Sequence, residues 1–222
     1  MAAPQIIYAT IPEAPPPLPP FSISAFWEAL NVGNIAKLDE LSQHPDFIDL
    51  NLAQPNLDPT DQPEVPLHHV IEWYNESKVP MDGSLKWLLD HGADPNLRSR
   101  NEQGCTSIHG IVWNIRKFDQ VKVAEMLVKY GADVTLKMGD GSTALHDAVK
   151  NGALELVNFL LKNGARSEED DGDGYNACSI PFYDKGMDGR PIPDRVKNGI
   201  RGACGKVYFI GNDLEYRRRI IK

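Results

Sequence analysis

Residues 140–166 read DGSTALHDAVKNGALELVNFLLKNGAR, and this stretch decides the fold. Its apolar side chains form two groups at helical spacing, from Leu145 to Val149 and from Leu156 to Leu161. Such spacing is typical of two short helices that each have one apolar face. Gly152 separates the two groups and Gly164 follows the second, because glycine adopts the positive φ that commonly ends a helix. The stretch therefore predicts a helix-turn-helix unit.

The same landmarks occur twice upstream. GCTSIH at residues 104–109 is followed by EMLVKYGAD at residues 125–133, and VPLHHV at residues 65–70 is followed by LKWLLDHGAD at residues 85–94. A self-similar pattern of this length indicates stacked units, since no single unit can bury its apolar face alone. We expect the units to end equivalently at glycines that are 39 and 33 residues apart, namely Gly92, Gly131 and Gly164.

GSTALH, NG and LELVNFLLKNGA resemble the ankyrin repeat, whose period is about 33 residues. The resemblance extends over residues 22–180 and implies an all-α solenoid of stacked helix-turn-helix units with short hairpin fingers, followed by an irregular C-terminal extension. Within an ankyrin repeat domain at residues 21–180, the units lie at about residues 22–55, 63–95, 103–135 and 140–168, with a degenerate cap at 173–182.

The two ends of the chain match no repeat. Seven of the 17 prolines lie in residues 1–20, which predicts a disordered arm because proline fixes φ and has no N–H to donate. Residues 181–222 form the extension, whose role the sequence does not indicate, although PDRVKNG at residues 193–199 favours the start of a helix. The last residues, EYRRRIIK, reverse the charge of an otherwise acidic chain.

Composition excludes several functional classes. A net charge of -8 and a pI near 5.2 disfavour nucleic acid and acidic membranes as partners, because like charges repel. No apolar run approaches the roughly 18 residues of a membrane span. Three cysteines are too few for a disulfide framework, which favours a reducing compartment. We expect a cytoplasmic or nuclear protein with no membrane partner.

Histidines and a threonine recur at fixed positions of the units. His68, His109 and His146 occupy the same position, where the resemblance implies hydrogen bonds inside the repeat rather than metal ligation. Thr143 stands at the predicted N-cap of its helix. Equivalent atoms of stacked helices lie about 8–10 Å apart, too far to share an ion that needs ligands at about 2 Å. We therefore expect no metal site and no cofactor.

The resemblance implies a non-catalytic module that binds another protein through its concave face and fingers, since a solenoid offers an open ledge rather than a closed cleft. The variable positions of the first helices are the predicted contacts, together with cations of the fingers. Trp73 and Trp113 have two open interpretations, as binding anchors or as core. The predicted partner-binding residues are His69, Glu72, Trp73, Trp113, Asn114, Asp147, Lys150, Asn151, Arg98, Arg100 and Lys137.

Two other functional classes remain as alternatives. The extension could complete an enzyme site against the last repeat, with Asp184, Asp188 or Asp194 as its acids. The basic tail, with Arg217 to Arg219 and Lys222, is the basis for a transcriptional co-regulator. The identity of the partner and the oligomeric state are not predicted from the sequence.

Overall fold

A computed structural model describes residues 20–55, 64–74, 81–99, 103–114, 117–179 and 191–204 of the protein. Over these residues the chain forms nine helices and no strand. The helices are α1 (Ile23–Val32), α2 (Ile35–Ser42), α3 (Pro66–Glu72), α4 (Asp82–Asp90), α5 (Ser107–Asn114), α6 (Lys117–Lys129), α7 (Ala144–Lys150), α8 (Leu154–Lys162) and α9 (Asp194–Ala203). The first eight make four consecutive helix pairs, one for each predicted full unit.

The helix pairs stack in two rows. In one row α3 contacts α5 and α5 contacts α7; in the other α4 contacts α6 and α6 contacts α8. The apolar faces of both rows form one continuous core, in which Phe26, Trp27, Leu88, Leu127 and Leu160 have no exposed surface. Each such burial contributes about 1.5–3 kcal/mol relative to exposure. The predicted all-α solenoid of stacked helix pairs is confirmed.

The second helices of the last three units, α4, α6 and α8, end in the same way. Gly92, Gly131 and Gly164 follow α4, α6 and α8 with φ of 89°, 93° and 97°, a region that residues with a Cβ rarely adopt. The alanine after each glycine donates its N–H to the carbonyl five residues earlier, at 3.0 Å in all three units. These carbonyls would otherwise lack a partner at the helix end. The glycines are therefore equivalent unit ends, as the sequence predicts.

The repeated histidine joins each first helix to its surroundings. His146 Nδ1 accepts a hydrogen bond from the Thr143 N–H at 3.1 Å, and His109 makes the same contact in its own unit at 3.3 Å. Because Nδ1 accepts, Nε2 carries the proton; in His146 and His68 this atom donates to a carbonyl of the following finger at 3.1 and 3.0 Å. Burial lowers the pKa of His109 to about 4, so its ring is neutral.

Two asparagines bridge successive units. Asn51 donates from Nδ2 to the Gly92 carbonyl and accepts the Asp94 N–H, at 3.1 and 2.7 Å. Asn96 makes the same pair of bonds to the next unit, at 2.8 and 2.7 Å. The third equivalent position is Thr135, whose hydroxyl turns back to Asp133 in its own unit. The amide bridge is therefore present at the first two junctions of the stack.

The C-terminal extension is tied to the last unit. α9 packs against α8, and its Ile200 is fully buried. A disulfide joins Cys178, after the last finger, to Cys204 at the end of α9, with the Cα atoms 5.9 Å apart. The cysteine count predicts no disulfide framework, and this one disulfide corrects that prediction, because spacing along the sequence does not reveal that two cysteines 26 residues apart lie side by side. The helix that PDRVKNG predicts is confirmed as α9.

Several predictions concern residues outside the described ranges. These are the proline-rich arm up to residue 19, the finger residue Arg100, the acids Asp184 and Asp188, and the basic tail. No helix within the ranges given above is long and apolar enough to cross a membrane.

Candidate functional site

The first helices of three units, α3, α5 and α7, carry different residues at one equivalent position. This position is occupied by His69 in α3, Gly110 in α5 and Asp147 in α7, each directly after the repeated histidine. His69 and Asp147 are buried, with 4% and 2% of their surfaces exposed. Gly110 has no side chain to place there, so the surface between α3 and α5 differs from the surface between α5 and α7.

A cavity of about 140 Å³ opens between α3 and α5. The helices approach closely at Gly110, where an added Cβ would lie 3.1 Å from Cγ2 of Ile71. The finger that leads into α5 forms the opposite wall. The lining residues are His68, Ile71, Glu72, Ser99, Gln103, Cys105, Thr106, Ser107, Gly110, Trp113 and Asn114. Three predicted contact residues, Glu72, Trp113 and Asn114, are therefore brought together at one cavity.

The cavity wall carries polar groups that the protein does not fully satisfy. Ser107 is 1% exposed, and its hydroxyl has no hydrogen-bond partner among the described residues. The Glu72 carboxyl has a pKa raised to about 7, first by burial of part of its surface and then by the neighbouring Glu64 carboxyl. Glu72 in the free protein therefore ionises near pH 7 instead of near its ordinary value of 4.5.

Both candidate tryptophans lie at the surface. Trp73 is 47% exposed at the end of α3, and Trp113 is 41% exposed on the cavity wall. The Trp113 indole N–H donates to Oδ2 of Asp147 at 3.2 Å, which fixes the ring on α5. The interpretation of these residues as core is therefore wrong. They are exposed aromatic surface of the kind that dominates binding hot spots.

The space between α5 and α7, which is equivalent to the cavity between α3 and α5, is occupied by buried side chains. Asp147 and Asn151 are 2% and 3% exposed, and Asn151 donates to the Asp147 carbonyl at 2.9 Å. Burial raises the pKa of the Asp147 carboxyl to about 6, although Lys150 and the Trp113 N–H oppose this effect. The prediction of Asp147 and Asn151 as contact surface needs correction, because both side chains lie below the surface. Lys150 is partly exposed beside them.

His69 also needs correction as a contact residue. Its Nδ1 is 2.7 Å from Oε2 of Glu64, and its Nε2 is 2.7 Å from Oδ1 of Asn31. The ring lies between Trp27 and Trp73, with centroids 4.8 and 5.8 Å away. His69 therefore connects α1, α3 and the preceding finger inside the protein.

The finger cations hold neighbouring fingers together. Arg98 donates to the carbonyls of Gly104 and Lys137, at 3.0 and 2.7 Å. Lys137 in turn donates to the Asp170 carbonyl at 2.8 Å and pairs with Glu169 at 3.0 Å. Both side chains retain surface exposure and link three successive fingers, but neither lines the α3–α5 cavity.

Sequence reasoning missed Ser107 and Ile71 as groove residues. The position of Ser107 carries proline in α3 and alanine in α7, so a hydroxyl there departs from the other units. That departure was the available signal. Ile71 gave none, because an apolar residue at its position is equally expected of core. Within the described ranges, no group of three or more His, Cys, Asp or Glu is arranged to hold a metal ion.

Comparison with known proteins gives a consistent family. The family model described as ankyrin repeats (3 copies) matches residues 85–171. A putative ankyrin repeat protein of Rickettsia felis is 36% identical over 96 residues, which cover 42% of this chain and 40% of that protein. The I-kappa-B like protein N2 of Microplitis demolitor bracovirus is 26% identical over 131 residues, covering 52% of this chain and 72% of that protein.

Some relatives are much longer than this chain and match it over only a small part of their own length. The ADP-ribosylation factor GTPase-activating protein AGD2 of Arabidopsis thaliana is 27% identical over 158 residues, which cover 69% of this chain and 18% of that protein. The chain thus spans less than a fifth of that relative and two fifths of the Rickettsia protein. The crystal structure of the Bcl-3 ankyrin repeat domain shares the fold, with a TM-score of 0.56, 23% identity and coverage of 78% of this chain and 65% of that one.

Proposed function

The chain is an ankyrin repeat protein, and we propose that it is a non-catalytic adaptor or regulator that binds a partner protein through its concave face and fingers. Ankyrin repeats form protein–protein interaction modules, in which stacked units offer an extended concave surface. Only part of that concave surface needs to contact the partner. We assign the main contact to the α3–α5 groove.

One observation carries the proposal: an exposed aromatic ring borders a cavity with unsatisfied polar groups. Trp113 is 41% exposed and lines the same cavity as Ser107 and Glu72. Aromatic side chains next to pockets supply much of the binding energy at protein interfaces. The position of Trp113 is also fixed by Asp147, so little side-chain entropy would be lost when a partner covers it.

The test uses a partner recovered by affinity capture and then purified, with its Kd measured by calorimetry. Trp113→Glu should weaken binding at least tenfold, because it replaces an apolar contact by a charge. The control is Asn158→Glu on the outer helix α8, an exposed residue away from the groove. Equal affinities of both variants and the unaltered chain would overturn the groove assignment. Circular-dichroism melts must show that the Trp113 variant remains folded.

A regulator of transcription is a second candidate. The match to the I-kappa-B like protein N2, which spans most of that protein, supports a regulatory role. The basic residues Arg217 to Arg219 support nuclear import. A tagged full chain should enter the nucleus, and replacement of the three arginines by alanine should retain it in the cytoplasm. Equal distribution of the two forms would contradict this candidate.

The enzyme alternative has less support. Asp194 is exposed in the first turn of α9, and no second candidate acid of the extension lies in the described ranges. The GTPase-activating relatives match this chain over 18% of their length, so their activity gives no assignment here. We therefore propose a binding function for the repeats and no catalytic one.

A further inference from the structure

The α3–α5 cavity has room for one side chain of about five or six heavy atoms. Its volume is about 140 Å³, and a cavity of about 150 Å³ takes up a benzene molecule. The cavity opens to the concave surface between the finger and the first helices. A single side chain that projects from a bound polypeptide can therefore enter it, whereas a folded surface cannot.

The chemistry of the wall favours a cation. Glu72 is the one carboxylate among the lining residues, and no Lys or Arg is found among those lining residues. Glu64 lies next to Glu72, although its own carboxylate contacts the His69 ring at 2.7 Å, so Glu72 is the acid that a ligand would meet. Burial and this neighbour raise the pKa of Glu72 to about 7, although His69 opposes the effect, so a cation in the cavity would favour the ionised form of this carboxyl.

Two further groups match an alkylammonium. The Ser107 hydroxyl is buried at the cavity wall with no hydrogen-bond partner among the described residues, and a rotation of its side chain would let it accept an N–H. The indole of Trp113 also lines the cavity, and a cation and its methylene groups both pack favourably on an aromatic ring. Glu72, Ser107 and Trp113 thus supply charge, hydrogen bond and apolar contact around one space.

We propose that the α3–α5 cavity is a recognition pocket for a lysine side chain of the partner polypeptide. This inference rests on the proposed function and names the chemistry of the residue that the groove selects. Lysine carries five side-chain heavy atoms that end in a compact charge, which fits the volume and the acidic wall. An acidic side chain would be disfavoured next to the Glu72 carboxyl, and an apolar one would leave that partly buried carboxyl without a counter-charge.

The other possible occupants are a second copy and the chain's own tail. A second copy is disfavoured by the net charge of -8 on each chain, since equal charges oppose close approach. The tail contains Arg217 to Arg219, so it is an occupant that the test must separate from a partner.

The test uses three probes of similar size on the full chain labelled with nitrogen-15. They are n-butylammonium, which copies the lysine side chain, 1-butanol, which is neutral, and butyrate, which is anionic. The indole N–H signal of Trp113, assigned through Trp113→Phe, reports occupancy. We expect saturable shifts with n-butylammonium, at least fivefold weaker binding of 1-butanol, and no shift with butyrate. Equal responses to the first two probes, or a stronger response to butyrate, would overturn the proposal.

Matched variants identify the groups responsible. Glu72→Gln should weaken n-butylammonium binding at least fivefold and leave 1-butanol binding unchanged. Glu155→Gln, an exposed acid on α8, should change neither. Because binding and ionisation are linked, the carbon-13 signal of the Glu72 carboxyl should titrate at lower pH when n-butylammonium is present. An unchanged Glu72 titration at saturating probe also contradicts the proposal.

Two outcomes would show the lysine pocket to be wrong while leaving the proposed function of the groove intact. If the captured partner loses affinity through Trp113→Glu but keeps it in Glu72→Gln, the groove function stands and the lysine pocket is wrong. If replacement of Arg217 to Arg219 by alanine strengthens n-butylammonium binding more than fivefold, the tail occupies the pocket, and the assignment to a partner's lysine is wrong.

Discussion

The α3–α5 and α5–α7 grooves are built from equivalent positions of the repeat, yet the first contains a cavity and the second is filled by buried side chains. The open groove has Gly110 where the filled groove has Asp147, and a cavity of about 140 Å³ lies beside the glycine. In the filled groove Asp147 is buried and accepts the indole N–H of Trp113. The residue that fills the second groove therefore also fixes the aromatic wall of the first.

On the proposed function, stability and recognition are divided between neighbouring units of one repeat domain. The α5–α7 junction keeps a buried carboxylate, at a cost in stability, and thereby orients Trp113. At the α3–α5 junction the Ser107 hydroxyl has no partner among the described residues. Repeats that look equivalent in sequence can thus differ in which of them carries function.

The largest expected difference between the two grooves comes from truncation of their apolar residues. Leu145 in α7 is fully buried. Leu145→Ala should therefore lower the free energy of unfolding by about 3–5 kcal/mol, since it leaves a void in close-packed surroundings. Ile71→Ala, beside the existing cavity, should cost about 2 kcal/mol, because fewer packing contacts are lost there. Urea denaturation measures both values.

The exposed Leu52 provides the control, and Leu52→Ala should change the free energy of unfolding by less than about 0.5 kcal/mol. An Ile71→Ala cost equal to or above that of Leu145→Ala would show that the α3–α5 junction is packed as tightly as its neighbour.

A smaller effect is expected from the charge of Asp147. Burial raises its pKa to about 6 from an ordinary value of 3.8, so the folded state holds its proton more tightly than the unfolded state does. The stabilising contribution is therefore complete below about pH 4 and disappears as the pH rises through 6. Asp147→Asn removes the ionisation and should raise the free energy of unfolding by about 1–2 kcal/mol at pH 7.

The difference between the unaltered chain and Asp147→Asn must itself depend on pH. Unfolding curves at pH 4 and pH 7 should show the gain of the variant only at the higher pH. A gain of equal size at both pH values would mean that Asp147 is not ionised in the folded protein at pH 7.

The link between the grooves is tested by Trp113→Phe. The substitution keeps an aromatic ring and removes the N–H that donates to Asp147, so it should destabilise the protein by about 1 kcal/mol at pH 7. In the Asp147→Ala background the same substitution should cost less, because the acceptor is already absent. A double-mutant cycle measured by urea denaturation gives this coupling. Strictly additive effects would show that the two residues act independently.

The smallest expected change is in the pKa of a single carboxyl, that of Glu72 at the α3–α5 groove. Carbon-13 NMR should show the Glu72 carboxyl titrating near pH 7 in the free protein. Glu64→Gln should move this midpoint lower by about one pH unit, because a like charge and its hydrogen bond are removed. Glu28→Gln on α1 serves as a distant control and should leave it unchanged. A Glu72 midpoint near 4.5 in the unaltered chain would contradict the partial burial of its carboxyl.

The fold was predictable because its determinants are local and repeated. Glycines that end helices, the threonine before α7 and the histidine three residues later recur at fixed spacing, and each acts within its own unit or on the next one. The exposure of Trp73 and Trp113 was half predictable, since the register placed them on the concave side but did not exclude packing beneath a finger.

The burial of single side chains was not predictable, because it depends on contacts between units. The register treats His69 and Asp147 as surface positions, but Asn31 and Glu64 enclose the first, while α5 and α7 enclose the second. The cavity likewise requires the absence of a side chain at Gly110 together with the close approach of Ile71 from another unit. The pairing of Cys178 with Cys204 follows from the docking of α9, which no local pattern encodes.

The covalent bond between Cys178 and Cys204 also has a consequence for proteolysis. A protease that cuts the backbone once anywhere between these two residues does not release α9, because the sulfur bridge still holds both fragments. Such nicked protein would migrate as one band on a non-reducing gel and as two bands after dithiothreitol. Limited digestion under the two conditions would therefore give different apparent boundaries for the same domain.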